Sequence, residues 1–313
     1  MNNSSKAVLI YNPCAGRGMK LPPLLKKIVG IKHRKSENFS MKQNIDLIIE
    51  ELKKYGMEVE LSPTDGPGKA TEIAENFSKK NCRIAIAVGG DGTINEVVNG
   101  LAGTETCLGV IPMGTANVFA LQMGLHSDIE KACETIAKGN RKLIDLGKIN
   151  NRYFTCMAGI GFDAHIVNEA DKKLKKILGA MAYPATAIKE LLFYKFNKIS
   201  VKIDDERTSE GYMALICNGK FYGGALKAAP HAELDDGLLD ICIFKHKNPI
   251  SVLSYLIGFK FGNIDKLNCI DYFQAKKIEI ESNGHSMHAD AEYIGATPAL
   301  IEVAPQTLKV AVP

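Results

Sequence analysis

The run Val88-Gly89-Gly90-Asp91-Gly92-Thr93 restricts the fold of this chain more than any other stretch. It joins an apolar segment, Arg83 to Val88, to one in which Ile94, Val97, Val98 and Leu101 recur at i, i+3, i+4 and i+7. The first reads as a buried strand and the second as a helix with one buried face. Glycines at 89, 90 and 92 remove side chains where a ligand must approach the backbone and permit φ > 0, and Thr93 is expected to cap the helix. The free N–H groups of such a helix start favour phosphate. No Gly-Lys-[Ser/Thr] follows, so this is not a P-loop, and the absence of Gly-x-Gly-x-x-Gly excludes a dinucleotide fingerprint. An ordinary strand-to-helix turn would share these features.

The same unit recurs along the first half. Lys6 to Tyr11 reads as a strand ending at Asn12-Pro13-Cys14-Ala15-Gly16-Arg17-Gly18, and Val59 to Leu61 as one ending at Thr64-Asp65-Gly66-Pro67-Gly68. Leu108 to Ile111 leads through Pro112-Met113-Gly114-Thr115-Ala116-Asn117 into the helical segment Val118 to Met123. Strands alternating with helices predict a parallel sheet, with its turns at the carboxyl ends of the strands, where open parallel sheets bind ligands. Thr115 and Asn117 are placed to donate to phosphate or ribose. The lysine-rich stretch Leu21 to Lys42 reads as an exposed insertion.

From about Leu143 the character shifts to strand-like runs at Tyr153 to Ala158, Ile199 to Ile203, Gly211 to Asn218, Leu239 to Phe244, Lys277 to Ser282 and Leu300 to Val303. Many strands and few helices predict a β-sandwich-like second domain. The expected class is thus α/β: a Rossmann-like domain over residues 1–143, then a β-rich domain over 144–303, with residues 304–313 returning to the first. The exception in the second half is Ala164 to Phe196, whose helical spacing sets Lys172, Lys173, Lys175 and Lys176 beside Leu174, Ile177 and Leu178.

Composition narrows the function classes. A net charge of +4 over 313 residues is too mild to imply nucleic acid. Met1 to Tyr11 has too few apolar residues for a secretory signal, and Ile177 to Ile188 is broken by Pro184 and well short of the roughly 20 residues that cross a bilayer. The eight cysteines are scattered singly, without a Cys-x-x-Cys pair, as in a chain kept reduced. The reading is cytoplasmic.

Five blocks in order carry a resemblance: Asn12-Pro13-x-Ala15-Gly16-x-Gly18; Thr64 with Gly68 and Ala70; Gly89-Gly90-Asp91-Gly92-Thr93-Ile94-Asn95-Glu96; Pro112-x-Gly114-Thr115-Ala116-Asn117; and Asp235-Asp236-Gly237-x-Leu239-Asp240. With these the chain resembles the diacylglycerol kinase catalytic-domain family, in particular its soluble bacterial lipid kinases. The Gly-Gly-Asp-Gly-Thr turn alone is also similar to NAD kinases and the phosphofructokinase-like group. The resemblance implies a phosphofructokinase-like nucleotide-binding domain, with ATP lying across the glycine-rich turns in a cleft between the two domains. Nucleotide contacts would come from Asn12, Thr64, Gly89, Gly90, Asp91, Gly92, Thr93, Ile94, Asn95, Glu96 and Thr115, with Asp91 acting near the phosphates through Mg²⁺. A second Mg²⁺ site would use the Asp236 side chain and the carbonyls of Glu233 and Leu238, in a stretch that also suits an Asp-Gly hairpin turn.

The family's general base lies in an Asp-Gly-Glu, and this chain has Asp290-Ala291-Glu292. In extended backbone Asp290 and Glu292 share a face, and either could take a proton from a lipid hydroxyl as it attacks the γ-phosphorus. His285 and His288 just upstream read as satisfied or exposed histidines rather than as a metal cluster with Asp290. Two departures stand out: Ala291 in place of glycine, and Val118 where many relatives carry an aspartate, which removes one member of a polar network that would include Asp145 and Lys175.

The resemblance therefore implies an ATP- and Mg²⁺-dependent phosphotransferase acting on a lipid hydroxyl, with diacylglycerol or a related neutral lipid as acceptor. A sphingoid base, an NAD kinase-like small-molecule acceptor and a weakly active nucleotide-binding regulator are the alternatives. The implied partners are a lipid substrate at the membrane surface and transient membrane contact through Lys172 to Lys176, with no nucleic acid, and a homodimer is compatible with them.

Overall fold

The computed structural model describes residues 6–13, 40–80, 82–170, 190, 194–282 and 284–313. The insertion as far as residue 39 and the lysine cluster from Lys172 to Lys176 lie outside them. The described chain forms two compact units, the first from residues 6–13, 40–144 and 306–313 and the second from 145–305.

In the first unit β1 (Lys6–Tyr11), α1 (Met41–Lys54), β2 (Glu58–Pro63), α2 (Lys69–Lys79), β3 (Ile84–Gly89), α3 (Asp91–Leu101), β4 (Cys107–Pro112), α4 (Val118–Gln122) and α5 (Ile129–Lys138) follow one another. The strands pair in parallel in the order β2-β1-β3-β4. Alternation sends Ala7, Leu9, Ile86 and Val88 to one face, where Ile45, Ile48 and Leu52 of α1 and Cys133 and Ile136 of α5 pack on them. Ser40 starts α1 with a capping box, its hydroxyl accepting from Gln43 N–H while the Gln43 side chain accepts from Ser40 N–H. The α2–α3 crossing is close: a Cβ on Gly100 would lie 2.4 Å from the Thr71 carbonyl oxygen.

Strand β5 (Asn140–Ile149) carries the chain into the second unit. There follow β6 (Arg152–Phe154), β7 (Met157–Gly161), α6 (Phe162–Glu169), β8 (Ile199–Ile203), β9 (Arg207–Gly211), β10 (Met213–Cys217), β11 (Phe221–Tyr222), β12 (Leu226–Lys227), β13 (Leu239–Phe244), α7 (Pro249–Phe261), β14 (Ile270–Ala275), β15 (Lys277–Ile280), β16 (Ser286–Ala289), β17 (Glu292–Ala296) and β18 (Ala299–Val312). One antiparallel sheet runs β14-β13-β10-β7-β16-β17. Its inner face, with Ile160, Ile216, Ile241 and Met287, closes on Val201, Ile278 and Ile301 from β8, β15 and β18, which is the expected sandwich. Its outer face, through Leu215, Cys242 and Phe244, is covered by Tyr255 and Phe259 of α7.

Several sequence expectations are corrected. The strand expected over Tyr153 to Ala158 is broken at Thr155 and Cys156, whose N–H groups bond a side chain instead of a neighbouring strand. The helix expected through Phe196 does not reach it: residues 194–198 are irregular, because the rings of Tyr194 and Phe196 dock on Phe162 at 5.0 and 5.1 Å between centroids. Helix α7 carries end signals, Asn248 accepting from Ser251 N–H, Pro249 in the first turn and Gly262 at φ 66°, but its apolar residues run all round, leaving no periodicity to read. No helix among the described residues is long and apolar enough to cross a membrane.

Candidate active site

In the first unit the parallel register brings the carboxyl ends of β1, β3 and β4 to one edge of the sheet. Thr64 N–H donates to Tyr11 O (2.9 Å) and Met113 N–H to Gly89 O (2.7 Å), which ties the turns together in pairs. The glycines serve by their lack of bulk. A Cβ on Gly114 would lie 2.5 Å from Gly90 Cα, so the β3–α3 and β4–α4 turns meet backbone to backbone. None of Gly89, Gly90 and Gly92 uses the positive φ that glycine permits; Gly90 is extended at φ −90° and ψ −175°. Thr93 is not the cap either. Gly90 is the N-cap and α3 starts at Asp91, leaving Thr93 in the first turn with its hydroxyl folded over Gly89, where a Cβ would stand 2.7 Å away. A glycine cap offers no side-chain acceptor, so the N–H groups of Gly92 and Thr93 have no partner within the helix and point into the turn.

The other residues of this turn divide by what holds them. Asp91 Oδ1 accepts from Phe119 N–H (3.2 Å), so its carboxylate sits at the starts of both α3 and α4. The Asn117 amide braces its own turn, accepting from Gly114 N–H and donating to Gly114 O, each at 2.9 Å. The Ile94 side chain is fully buried, and Asn95 is buried with its amide oxygen accepting from Asn99. Glu96 reaches Ala70 N–H (3.1 Å) at the start of α2. The Ile94 N–H also donates to Gly90 O (3.1 Å), so this residue serves the packing of α3, and Glu96 positions α2. Asn12 and Thr115 are half-buried beside these turns.

The second unit holds the remaining candidates, and one hydrogen-bonded chain joins the loop of Asp236 to Asp290. Asp236 Oδ1 accepts from Leu238 N–H (3.0 Å) across Gly237 at φ 73°. Burial, then the negative charges of Asp145 and Glu233, raise the Asp236 carboxyl above its ordinary value. Buried Asp145 holds this loop at two points, its N–H donating to Leu234 O (2.6 Å) and its carboxylate accepting from Gly237 N–H (2.7 Å). Fully buried Asn218 then donates to Asp145 O (2.9 Å) and Thr155 O (3.0 Å). Thr155 in turn meets Asp290.

Asp290 and Glu292 do not share a face. Asp290 and Ala291, at φ 45° and 61°, are the two central residues of the tight turn between β16 and β17, which points the carboxylates in different directions. Asp290 Oδ2 accepts from Thr155 N–H (2.7 Å) and hydroxyl (2.8 Å), and Oδ1 from the N–H groups of Cys156 (2.9 Å) and Met157 (3.0 Å). Four donors occupy the four lone-pair positions of a carboxylate. Glu292 pairs with Arg152, and its side chain is 36% exposed.

His288, one pair back along the hairpin, is buried against Asp163 (2.5 Å), to which the Tyr222 hydroxyl also donates. Gly159 lies directly across from His288, and a Cβ there would stand 2.2 Å from His288 Nε2, so glycine is required for the pair to form. Burial acts to raise the Asp163 carboxyl, but the charge of His288 and the hydrogen bonds from His288 and Tyr222 outweigh it and hold it below the ordinary value. No group of three or more His, Cys, Asp or Glu side chains forms a metal cage among the described residues. Burial pushes the Cys107 thiol up to about 11 and Cys133 up to about 12, which disqualifies both as thiolate nucleophiles. Sequence reasoning missed Arg152, Thr155, Asn218 and Asp163; only the Asn218-Gly219 pair, a turn signal, marked any of them.

The relatives of this chain make it a phosphotransferase with an alcohol acceptor. The diacylglycerol kinase catalytic domain family matches residues 27–149, and the YegS C-terminal NAD kinase beta sandwich-like domain family matches residues 156–312. The chain is 30% identical to a diacylglycerol kinase of Bacillus subtilis (strain 168), over 94% of its own length and 91% of that protein's. It is 33% identical to a diacylglycerol kinase of Staphylococcus epidermidis (strain ATCC 12228), over 94% and 88%. A Bacillus anthracis structure assigned as a diacylglycerol kinase superposes with a TM-score of 0.77 at 26% identity, covering 100% of this chain and 98% of that one. The chain belongs to the diacylglycerol kinase family.

Proposed function

We propose that this protein transfers the γ-phosphate of ATP to the free hydroxyl of diacylglycerol or a closely related neutral lipid. The observation that carries this reading is the close backbone approach of Gly90 and Gly114, beside a helix start whose Gly92 and Thr93 N–H groups have no partner within the helix. Phosphoryl transfer asks the protein mainly to position phosphates and neutralise their charge, and this turn does the first. Asn12, Thr64 and Thr115 line the neighbouring turns for the nucleotide.

Mg²⁺ fits the loop of residues 233–238: one carboxylate, Asp236, beside the Glu233 and Leu238 carbonyls is the sparse oxygen set that Mg²⁺ takes, and the crowding of Asp236 with Asp145 and Glu233 favours a cation. Bound there, it would neutralise charge on the phosphate oxygens. Asp91, at two helix starts, supplies the other carboxylate on the nucleotide side.

Glu292 is the proton acceptor in this reading. Asp290 is saturated by four donors and anchors the hairpin, whereas Glu292 is held by Arg152 and is accessible. Incubation with labelled ATP, Mg²⁺ and a panel of diacylglycerol, sphingoid base and NAD tests this directly. Label should enter diacylglycerol, and Glu292→Gln should lower kcat at least about 100-fold, the scale of a lost general base. Label in NAD with none in any lipid would overturn the reading.

A further inference from the structure

Helix α7 has two different faces. Inward, Tyr255 and Phe259 pack on Phe244 at ring-centroid distances of 4.7 and 6.1 Å. Outward, where a helix at water should be polar, it presents Leu256 (53% exposed), Ile257 (49%) and Phe261 (70%), the three most exposed large apolar side chains among the described residues. With Lys260 they occupy positions i, i+1, i+4 and i+5, which form one continuous face. Contiguous exposure of this kind marks an interaction surface.

The charges around the patch select its partner. Helix α7 has no acidic residue, and the Lys260 ammonium lies 5.8 Å from the centre of the Phe261 ring. The Lys227 stem runs beside Gly262, where an added Cβ would lie 2.8 Å from Lys227 Cδ, and Lys266 follows one short turn later. None of the three lysines has a carboxylate partner among the described residues. The acid of that turn, Asp265, is 17% exposed and engaged with His231 at 3.2 Å. A second copy of this chain related by a two-fold axis would bring the same cations towards one another. An anionic bilayer meets both halves of the patch, because apolar side chains enter the interfacial layer while lysines stay at the phosphates.

We infer that α7 is the surface by which the protein docks on anionic membranes, with Leu256, Ile257 and Phe261 inserted and Lys227, Lys260 and Lys266 on the lipid phosphates. The choice of partner rests on the lipid-kinase reading, since diacylglycerol resides in the bilayer. None of its residues belongs to the run Lys172 to Lys176.

The chain contains no tryptophan, so Phe261→Trp installs a single reporter. Its emission should shift to the blue with vesicles of phosphatidylcholine and one-third phosphatidylglycerol, and not with phosphatidylcholine alone. In co-flotation with the same anionic vesicles, the full chain carrying Leu256→Ser, Ile257→Ser and Phe261→Ser should bind at least about tenfold less, on the scale of the apolar surface removed. Its activity on a short-chain diacylglycerol below its aggregation limit should be unchanged. An unshifted emission from the Phe261→Trp variant, wild-type flotation of the triple variant, or a change in its molar mass by light scattering, pointing to a second copy as the occupant, would each overturn the assignment. Kinase activity without α7-dependent flotation rejects the docking surface alone. Flotation without phosphorylation of any lipid rejects the kinase reading and leaves the surface standing.

Discussion

Asp290 and Glu292 flank a single residue and are held in opposite ways, the first by four buried donors and the second by Arg152 at the surface. Replacing the Asp290 carboxylate with an amide turns an NH₂ towards backbone donors, so Asp290→Asn should cost about 2–4 kcal/mol of stability, while Glu292→Gln should stay within about 1 kcal/mol of wild type in urea denaturation. Between them Ala291 holds φ 61°, a region that disfavours a side chain. Ala291→Gly should stabilise by about 1 kcal/mol in the same measurement. Two buried carboxylates give opposite pH dependences. Asp163 has a lowered folded-state pKa, so its stabilisation is complete above about pH 4 and fades as pH falls through the lowered value. Asp240, raised by burial against the hydrogen bonds of Tyr272 and Gln274, costs stability when ionised and gives it back as pH falls through the raised value. Asp163→Asn should flatten the acid limb of a stability–pH profile, and Asp240→Asn should steepen it. At this scale Asp240, Asp290 and Glu292 were legible as members of short blocks, whereas Asp163 was not. Nor were the partners: Thr155 lies 135 residues from Asp290, and no local spacing reports such a contact.

The strand-glycine-helix units were the most legible elements, since each contains its own apolar run, turn and helical period. The phosphate site proposed above rests on a contact between two of them. A methyl group on Gly114 would force the β3–α3 and β4–α4 turns apart. Gly114→Ala should therefore weaken ATP binding at least about tenfold by calorimetry, with a stability loss of about 1–3 kcal/mol from overpacking. Helix capping by Thr93 was misread because a threonine after glycines looks like an N-cap, whereas extended Gly90 lets the helix begin earlier. The break in the strand between β6 and β7 was hidden for a related reason: the residues are apolar enough for a strand, but their N–H groups belong to Asp290.

On the scale of the whole molecule, β18 is the element that departs most from its sequence reading. Leu300 to Val303 gave a short strand, yet β18 runs for 14 residues. Its start pairs with β15, and from residue 306 it belongs to the first unit, where Val310 lies in parallel beside Leu108 and Gly103 N–H donates to Thr307 O (2.9 Å). Leu308, Val310 and Ala311 are buried there. The length of β18 escaped the sequence because its middle, Ala304-Pro305-Gln306, reads as a loop.

That strand also sets an order of events on the ribosome. Among the described residues the second unit is drawn from one stretch of sequence and can close as soon as residue 305 has emerged, whereas the first must wait for its last strand although most of it was synthesised before residue 145. At usual elongation rates roughly 160 further residues take on the order of 10–30 s, during which β4 is an unpaired edge. The half of the protein made first is thus the half finished last, and a nascent chain released before residue 306 would expose the nucleotide unit's sheet to chaperones or to neighbouring chains.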